Sequence, residues 1–328
     1  SVEPIETDFG RKRQVNQSTC NKDLSCLKGF CPSFVTVEGG QLKTKKLNQQ
    51  IAKFDFESIP EPELVGLVSG QVWGLVVAGV GGTGVITIGQ LLGVAAHLEG
   101  LGVVVQDAGG LAQKGGATWS HVLISSHQSD IRTNRVSMAS ADLVLGCDPV
   151  VAATAETLSR MREGRTQVAM NAYATPTAGF MQDSEWVNPG KTCLETISKS
   201  VGQAAMSSFN ANEAASILMG DSIYTNPMLL GFAWQNGWMP LALASILRAF
   251  ELNEVSIEKN KTAFQWGRIA AVEGEAFTSR LLPDQIVTWF QKNSWEQIVE
   301  KRVVFLTAYQ NASYAESYRQ LVNKVAEK

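Results

Sequence analysis

Residues 73–124 read WGLVVAGVGGTGVITIGQLLGVAAHLEGLGVVVQDAGGLAQKGGATWSHVLI. Val72 to Ala78 is an apolar run of strand length, and the GVGGTG that comes next places Gly79, Gly81 and Gly84 in a G-x-G-x-x-G pattern. Glycine permits a tight turn and close approach of backbone to a ligand, and the unpaired N–H groups of the next helix can hold an anion. In that helix Ile88, Leu91, Leu92, Ala95 and Leu98 form one apolar stripe, with Gln90 and His97 opposite, so His97 is expected at the surface. Gly89 and Gly93, four apart, allow close packing of the helix. A second strand, Val103 to Gln106, delivers Asp107 near the position where a nicotinamide-binding fold carries its ribose-binding acid.

The chain after Asp107 departs from that pattern. The stretch AGGLAQKGGAT, residues 108–118, sets Gln113 and Lys114 between glycine pairs and leads into the alternating strand TWSHVLI. Such a loop brings backbone and one cation to a ligand, although a solvated turn has the same composition. His121 shares a strand face with Trp119 and Leu123, which suits a hydrogen-bonded core histidine better than a catalytic one.

Further on, Leu143 to Cys147 is a buried strand, with Asp148 and Pro149 as helix cap and first helical residue, and Val168 to Asn171 is another strand. Cys147 and Cys193 read as structural. Strands alternating with helices predict an α/β fold: a Rossmann-like parallel sheet with helices on both faces, binding ligands outside the carboxyl ends of its strands. Both glycine loops would open on that edge. Asn226 to Phe250 packs two apolar helices around a break at Asn236 to Pro240, and C-terminal helices without an acid, base or nucleophile cluster complete the chain. The expected divisions are 1–65, a cysteine-containing irregular arm ending in the linker FDFESIPEPE; 66–250, the sheet; and 251–328, helices.

A net charge of −3 over 328 residues supplies no electrostatic reason to bind nucleic acid or an anionic membrane. Leu64 to Leu98 and Ser222 to Leu247 lack Asp, Glu, Lys and Arg, but glycine, proline and polar residues interrupt both, so buried elements or a subunit interface are expected rather than membrane spans. Five cysteines and no signal sequence point to a cytoplasmic protein with reduced thiols. Cys20, Cys26 and Cys31, spaced C-x5-C-x4-C with Pro32 next, suit an iron–sulfur cluster, with zinc or unliganded thiols as alternatives.

Four segments together resemble one family: GVGGTGV at 79–85, DAGGLAQKGGATWSHV at 107–122, NPMLLGFAWQNGWMP at 226–240 and QSTCNKDLSCLKGFCPSF at 17–34. They are similar to the long, fused indolepyruvate ferredoxin oxidoreductases of the 2-oxoacid:ferredoxin oxidoreductase superfamily. The resemblance implies a γ-type domain that assists catalysis, with no nicotinamide site. It implies that an aryl pyruvate is decarboxylated oxidatively on thiamine diphosphate with Mg, the acyl group passing to coenzyme A and electrons passing through [4Fe–4S] clusters to ferredoxin. Cys20, Cys26 and Cys31 would then hold one cluster, its remaining ligand lying upstream. The glycine loop, Gly79, Gly81, Gly82, Thr83 and Gly84, with Gln113 and Lys114, would face the thiamine or coenzyme A site. The implied partners are the thiamine-binding domains and the other ferredoxin half of the same large, homo-oligomeric enzyme, and ferredoxin itself. An NAD(P)-dependent dehydrogenase and a non-catalytic interdomain scaffold are the competing readings.

Overall fold

The computed structural model describes residues 2–7, 10–16, 38–40, 56–109, 116–176, 179–183, 186–281 and 294–326. Cys20, Cys26, Cys31, Gln113 and Lys114 lie outside them. The chain forms two compact units, one of Ser1–Pro4 with Gln14–Leu281 and one of Ile5–Arg13 with Leu282–Lys328.

The arm is not wholly irregular. Strands β1 (Val2–Thr7) and β2 (Gly10–Val15) pair as a two-stranded ribbon, with the Thr7 hydroxyl donating to Gly10 O at 2.7 Å. Most of its side chains are exposed or half-buried, so no apolar alternation marks it in the sequence.

The sheet is built from β3 (Trp73–Val80), β4 (Gly102–Gly109), β5 (Ala117–Ser125), β6 (Leu143–Gly146), β7 (Gln167–Asn171) and β8 (Met206–Phe209), in the order β4-β5-β3-β6-β7-β8. Strands β3, β6, β7 and β8 are parallel, as an α/β fold requires. The sheet is nonetheless mixed, because β5 runs antiparallel to both neighbours. The reason is connection length. A parallel return needs a crossover of a dozen or more residues, and the chain from Gly109 to Ala117 is too short for one.

Alternation along the strands feeds two cores. Leu75, Val77, Leu143, Leu145 and Ala169 belong to one, against helix α1 (Val85–Leu98); Val76, Ala78, Val144, Val168 and Met170 belong to the other. That second face is covered by the short helices α2 (Pro149–Ala152) and α3 (Ala155–Leu158), and, after the short α4 (Gly179–Gln182), by α5 (Gly190–Val201), which contributes Ile197 and Val201. Asp148 caps α2 as expected, accepting from the backbone N–H groups of Val150 and Val151 at 2.9 and 3.2 Å. Helix α1 approaches the sheet through its glycines: a Cβ on Gly89 would overlap the Ser120 hydroxyl, and one on Gly93 would stand 2.8 Å from Val105.

After α6 (Ala211–Leu218), the first face gains α7 (Thr225–Gln235), α8 (Leu243–Leu252) and α9 (Ile257–Glu273), followed by α10 (Glu275–Leu281). Every residue of α7 from Thr225 to Trp234 is buried within the chain itself, which accounts for its lack of charge. It crosses α9 at two glycines, where a Cβ on Gly231 would overlap Phe264 O and one on Gly267 would overlap Met228 O. The segment expected as a linker is docked here. Buried Arg268 donates to Gln235 Oε1 at 2.8 Å and to Ile59 O at 3.1 Å and lies 5.1 Å from the Trp234 ring centroid, while Val65 N–H donates to Gly237 O. In the second unit, α11 (Trp295–Tyr309) opens with a capping box of Ser294 and Gln297, and α12 (Ala312–Ala326) is tied to it by Arg319 and Glu300 at 2.8 Å. No described helix is long and apolar enough to cross a membrane.

His97 is exposed, as the stripe predicts. His121 is a core residue, 1% exposed, but its Nδ1 has no hydrogen-bond partner among the described residues. Burial first, then Arg160 and Arg135, outweigh Glu156 and hold its pKa at about 4. The unfolded chain therefore binds the proton more readily, so stability is complete above about pH 6.5 and falls towards pH 4. Urea midpoints should show the native protein losing about 2 kcal/mol relative to His121→Gln between pH 7 and pH 5. In the same assay Gly231→Ala should cost about 1–3 kcal/mol, whereas Gly66→Ala, into open space, should cost little.

Candidate functional site

Strand β3 ends at the carboxyl edge of the sheet, and the loop that leaves it is shaped by what surrounds it. A Cβ on Gly79 would stand 2.8 Å from both Cys147 Cβ and Val85 Cγ2. Gly82 and Gly84 have φ of 85° and 91°, in the left-handed region that favours glycine. Gly81 N–H donates to Gly116 O at 2.7 Å, which places the far end of the second glycine-rich loop beside the first. Gly109 and Ala117, which flank the second glycine-rich stretch, pair with residues at the same edge.

Thr83 is tied from a distance. Its carbonyl accepts from Asn226 Nδ2 at 2.8 Å, joining the loop to the first turn of α7, and its hydroxyl donates back to Val80 O at 2.7 Å. Asn226 is 4% exposed and was missed in the sequence, where only the Asn-Pro step at a helix start marks it.

Around the loop lies a cavity of about 560 Å³. Its floor is the glycine loop and the start of α1; Gly109 and Thr118 close one side, Tyr224 and Asn226 another, and Phe250 with the turn at Asn253–Ser256 the third. None of the described lining residues carries a charge. The nearby ammonium of Lys259 stands 6.0 Å from the Tyr224 ring centroid. Helix α1 begins at Gly84 with no side-chain cap and no acidic residue in its first turn, so its N-terminal N–H groups and the positive end of its dipole remain available to a ligand. The turn after α8 holds Glu254 and Ser256 at φ of 57° and 45°, costly for residues with a Cβ and a mark of functional segments.

Asp107 does not reach this site as a ribose anchor. In a dinucleotide fold the second strand lies beside the first; here β5 intervenes, setting β4 roughly 10 Å from β3. Asp107 pairs instead with Ser120 across β4 and β5, and its Oδ1 and the Ser120 hydroxyl are buried without partners among the described residues. The Cys147 thiol is held protonated by burial, with Asp148 adding to the effect. Among the described residues no group of His, Cys, Asp or Glu could hold a metal ion.

Among the described residues the cavity walls are uncharged, and the N-terminus of α1 opens onto them. Asn226→Ala should lower stability by about 1–2 kcal/mol and speed amide hydrogen exchange at Gly82 to Val85, leaving the α11–α12 amides unchanged.

Comparison with known proteins matches this part of the chain. The family described as pyruvate ferredoxin/flavodoxin oxidoreductase matches residues 74–270. Indolepyruvate oxidoreductase subunit IorB of Methanothermobacter thermautotrophicus is 30% identical over 203 residues, covering 61% of this chain and 98% of that one. The same subunit from Thermococcus kodakarensis is 29% identical over 205 residues, covering 61% and 96%. Among solved structures, the keto/oxoacid ferredoxin oxidoreductase gamma subunit of Geobacter sulfurreducens is 21% identical with a TM-score of 0.42, covering 62% of this chain and 99% of that one. The match takes in β3 to α9, and with it every described wall of the cavity, so the chain belongs to the pyruvate ferredoxin/flavodoxin oxidoreductase family.

Proposed function

We propose that this chain is the γ-type portion of an indolepyruvate:ferredoxin oxidoreductase of the long, fused kind, which converts an aryl pyruvate to its acyl-CoA and passes the electrons to ferredoxin. The observation that carries this reading is the match to IorB subunits along almost their whole length. The site chemistry supports an assisting role: the cavity offers backbone N–H groups, hydroxyls and amides, with no acid–base pair among its described walls.

In this reading thiamine diphosphate supplies the electron sink for decarboxylation when bound in the whole enzyme. The described residues provide no carboxylate set for its magnesium, so the remaining domains hold it. What this chain adds is the glycine-loop face, where Gly79 to Gly84 with Gln113 and Lys114 border the thiamine or coenzyme A site. Cys20, Cys26 and Cys31 would ligate a [4Fe–4S] cluster with a fourth ligand from elsewhere. Those cysteines lie outside the described residues, and the assignment rests on thiolate chemistry and spacing.

Two measurements on the complete enzyme test this. Cys20→Ser should remove about four iron atoms and matching sulfide; unchanged iron would dismiss the ligand assignment. Lys114→Ala should weaken coenzyme A binding severalfold, and Gly82→Ala, by straining a left-handed position, should do the same. Unchanged affinity in both would remove the glycine loops from that site.

A further inference from the structure

We propose that the outer edge of β4 is a dimer interface, on which a second copy of this chain lays its own β4 antiparallel about a two-fold axis through Val105. The inference concerns the sheet edge alone and does not depend on the enzyme to which the chain contributes.

The hydrogen bonds fix which groups face outward. Ala78 O accepts from Cys147 N–H and Gly74 O from Asp142 N–H, both at 2.8 Å, so Gly74 and Ala78 turn their backbone groups towards β6. Along a strand these groups alternate between its two sides, so Leu75 and Val77 bond β5. Their partners Val122 and Ser120 then face β3, which leaves His121 and Leu123 to bond Gln106 and Val104. Val103, Val105 and Asp107 therefore present their N–H and C=O groups to the outer side. Two side chains agree with this: Gln128 Oε1 accepts from Val103 N–H and Gln106 Nε2 donates to Asp107 O, both at 2.9 Å. No described residue bonds the outward N–H or C=O of Val105.

The edge lacks the devices that keep sheets from pairing. It runs for 8 residues, GVVVQDAG, in unbroken register with β5, without proline, lysine or bulge. It also matches itself. In antiparallel pairing centred on Val105, that residue opposes Val105 of the second copy and Val103 opposes Asp107, each pair exchanging both backbone bonds. Val103 N–H and Asp107 O, the groups that the glutamine side chains occupy, become each other's partners, so the glutamines are exchangeable end caps. Asp107 faces a valine and not its own copy. The two carboxylates stand about 14 Å apart along the strands, beyond the ~8 Å reach of exposed charges at physiological salt.

Sedimentation of the full chain over a range of concentrations, with amide hydrogen exchange on the same samples, tests this. A reversible dimer is expected, with exchange at Val105 and Asp107 slowing as it forms. Val105→Pro removes the central donor where an edge strand accepts proline. It should weaken dimerisation about tenfold or more, the worth of the two central hydrogen bonds, and leave the circular dichroism unchanged. Val105→Cys sets the Cα atoms of the two copies about 5.5 Å apart, within disulfide range, so mild oxidation should give a reducible covalent dimer. Val103→Cys, about 14 Å from its counterpart, should give no more than the wild type. If Val105→Pro does not fold, the two cysteine variants still decide. The proposal is overturned by a chain that stays monomeric at every concentration, by a folded Val105→Pro variant that dimerises like the wild type, or by no more covalent dimer from Val105→Cys than from Val103→Cys. Equal protection of the Val105 and Asp107 amides in the monomer would also overturn it, and would give the edge to a segment of the same chain.

Discussion

The space that a Cβ would need at Gly79 is already taken, by Cys147 from β6 and Val85 from α1. That contact fixes how β3 turns into its loop, and the rest of the carboxyl edge depends on it. With the turn drawn tight, the loop can close onto Gly116 and receive the side chain of Asn226, 143 residues further along the chain. Helix α1 then starts at a fixed place and lies close to the sheet through Gly89 and Gly93. A methyl group at Gly79, Gly89 or Gly93 would come within 3 Å of side-chain atoms of the facing layer, so those layers would have to shift.

The helical layer above the loop depends on a similar economy of size. Gly231 and Gly267 let α7 and α9 cross with their backbones in contact, which brings the start of α7 and the turn before α9 to the same cavity. Arg268 works at the other end of that crossing. Its guanidinium donates to carbonyl and side-chain amide oxygens and lies over the Trp234 ring, with the Glu61 carboxylate favouring its charge, and these contacts fix the strand of chain that arrives from the arm. The consequence for function is a site with rigid walls on three sides and strained backbone at one lip, Glu254 to Ser256. Its described walls carry no charge, and it opens at the N-terminus of α1.

Features set by neighbours in sequence were legible in the sequence alone. The apolar run into the glycine loop, the helical stripe, the close-packing role of Gly89 and Gly93, the cap at Asp148 and the helix break near Gly237 each depend on a few adjacent residues. The features that escaped such reading depend on partners far away. The reversal of β5 needed the length of the connection after Gly109 to be weighed against the crossover that a parallel strand requires. The roles of Asn226 and Arg268 are set by groups as far as 143 and 209 residues away, and no periodicity encodes such a pairing. Asp107 shows the converse. Its position in the sequence fits a ribose anchor, and the inserted strand takes it out of reach.

We propose that this chain serves the oxidation of an aryl 2-oxo acid by ferredoxin rather than by a nicotinamide. Initial rates of the complete enzyme with indolepyruvate, pyruvate and 2-oxoglutarate, each followed separately as ferredoxin reduction and as NAD(P)H formation, test it most directly. The expected result is ferredoxin reduction with kcat/KM highest for indolepyruvate, dependent on coenzyme A, and no NAD(P)H. Nicotinamide reduction, or equal turnover of all three acids, would contradict it.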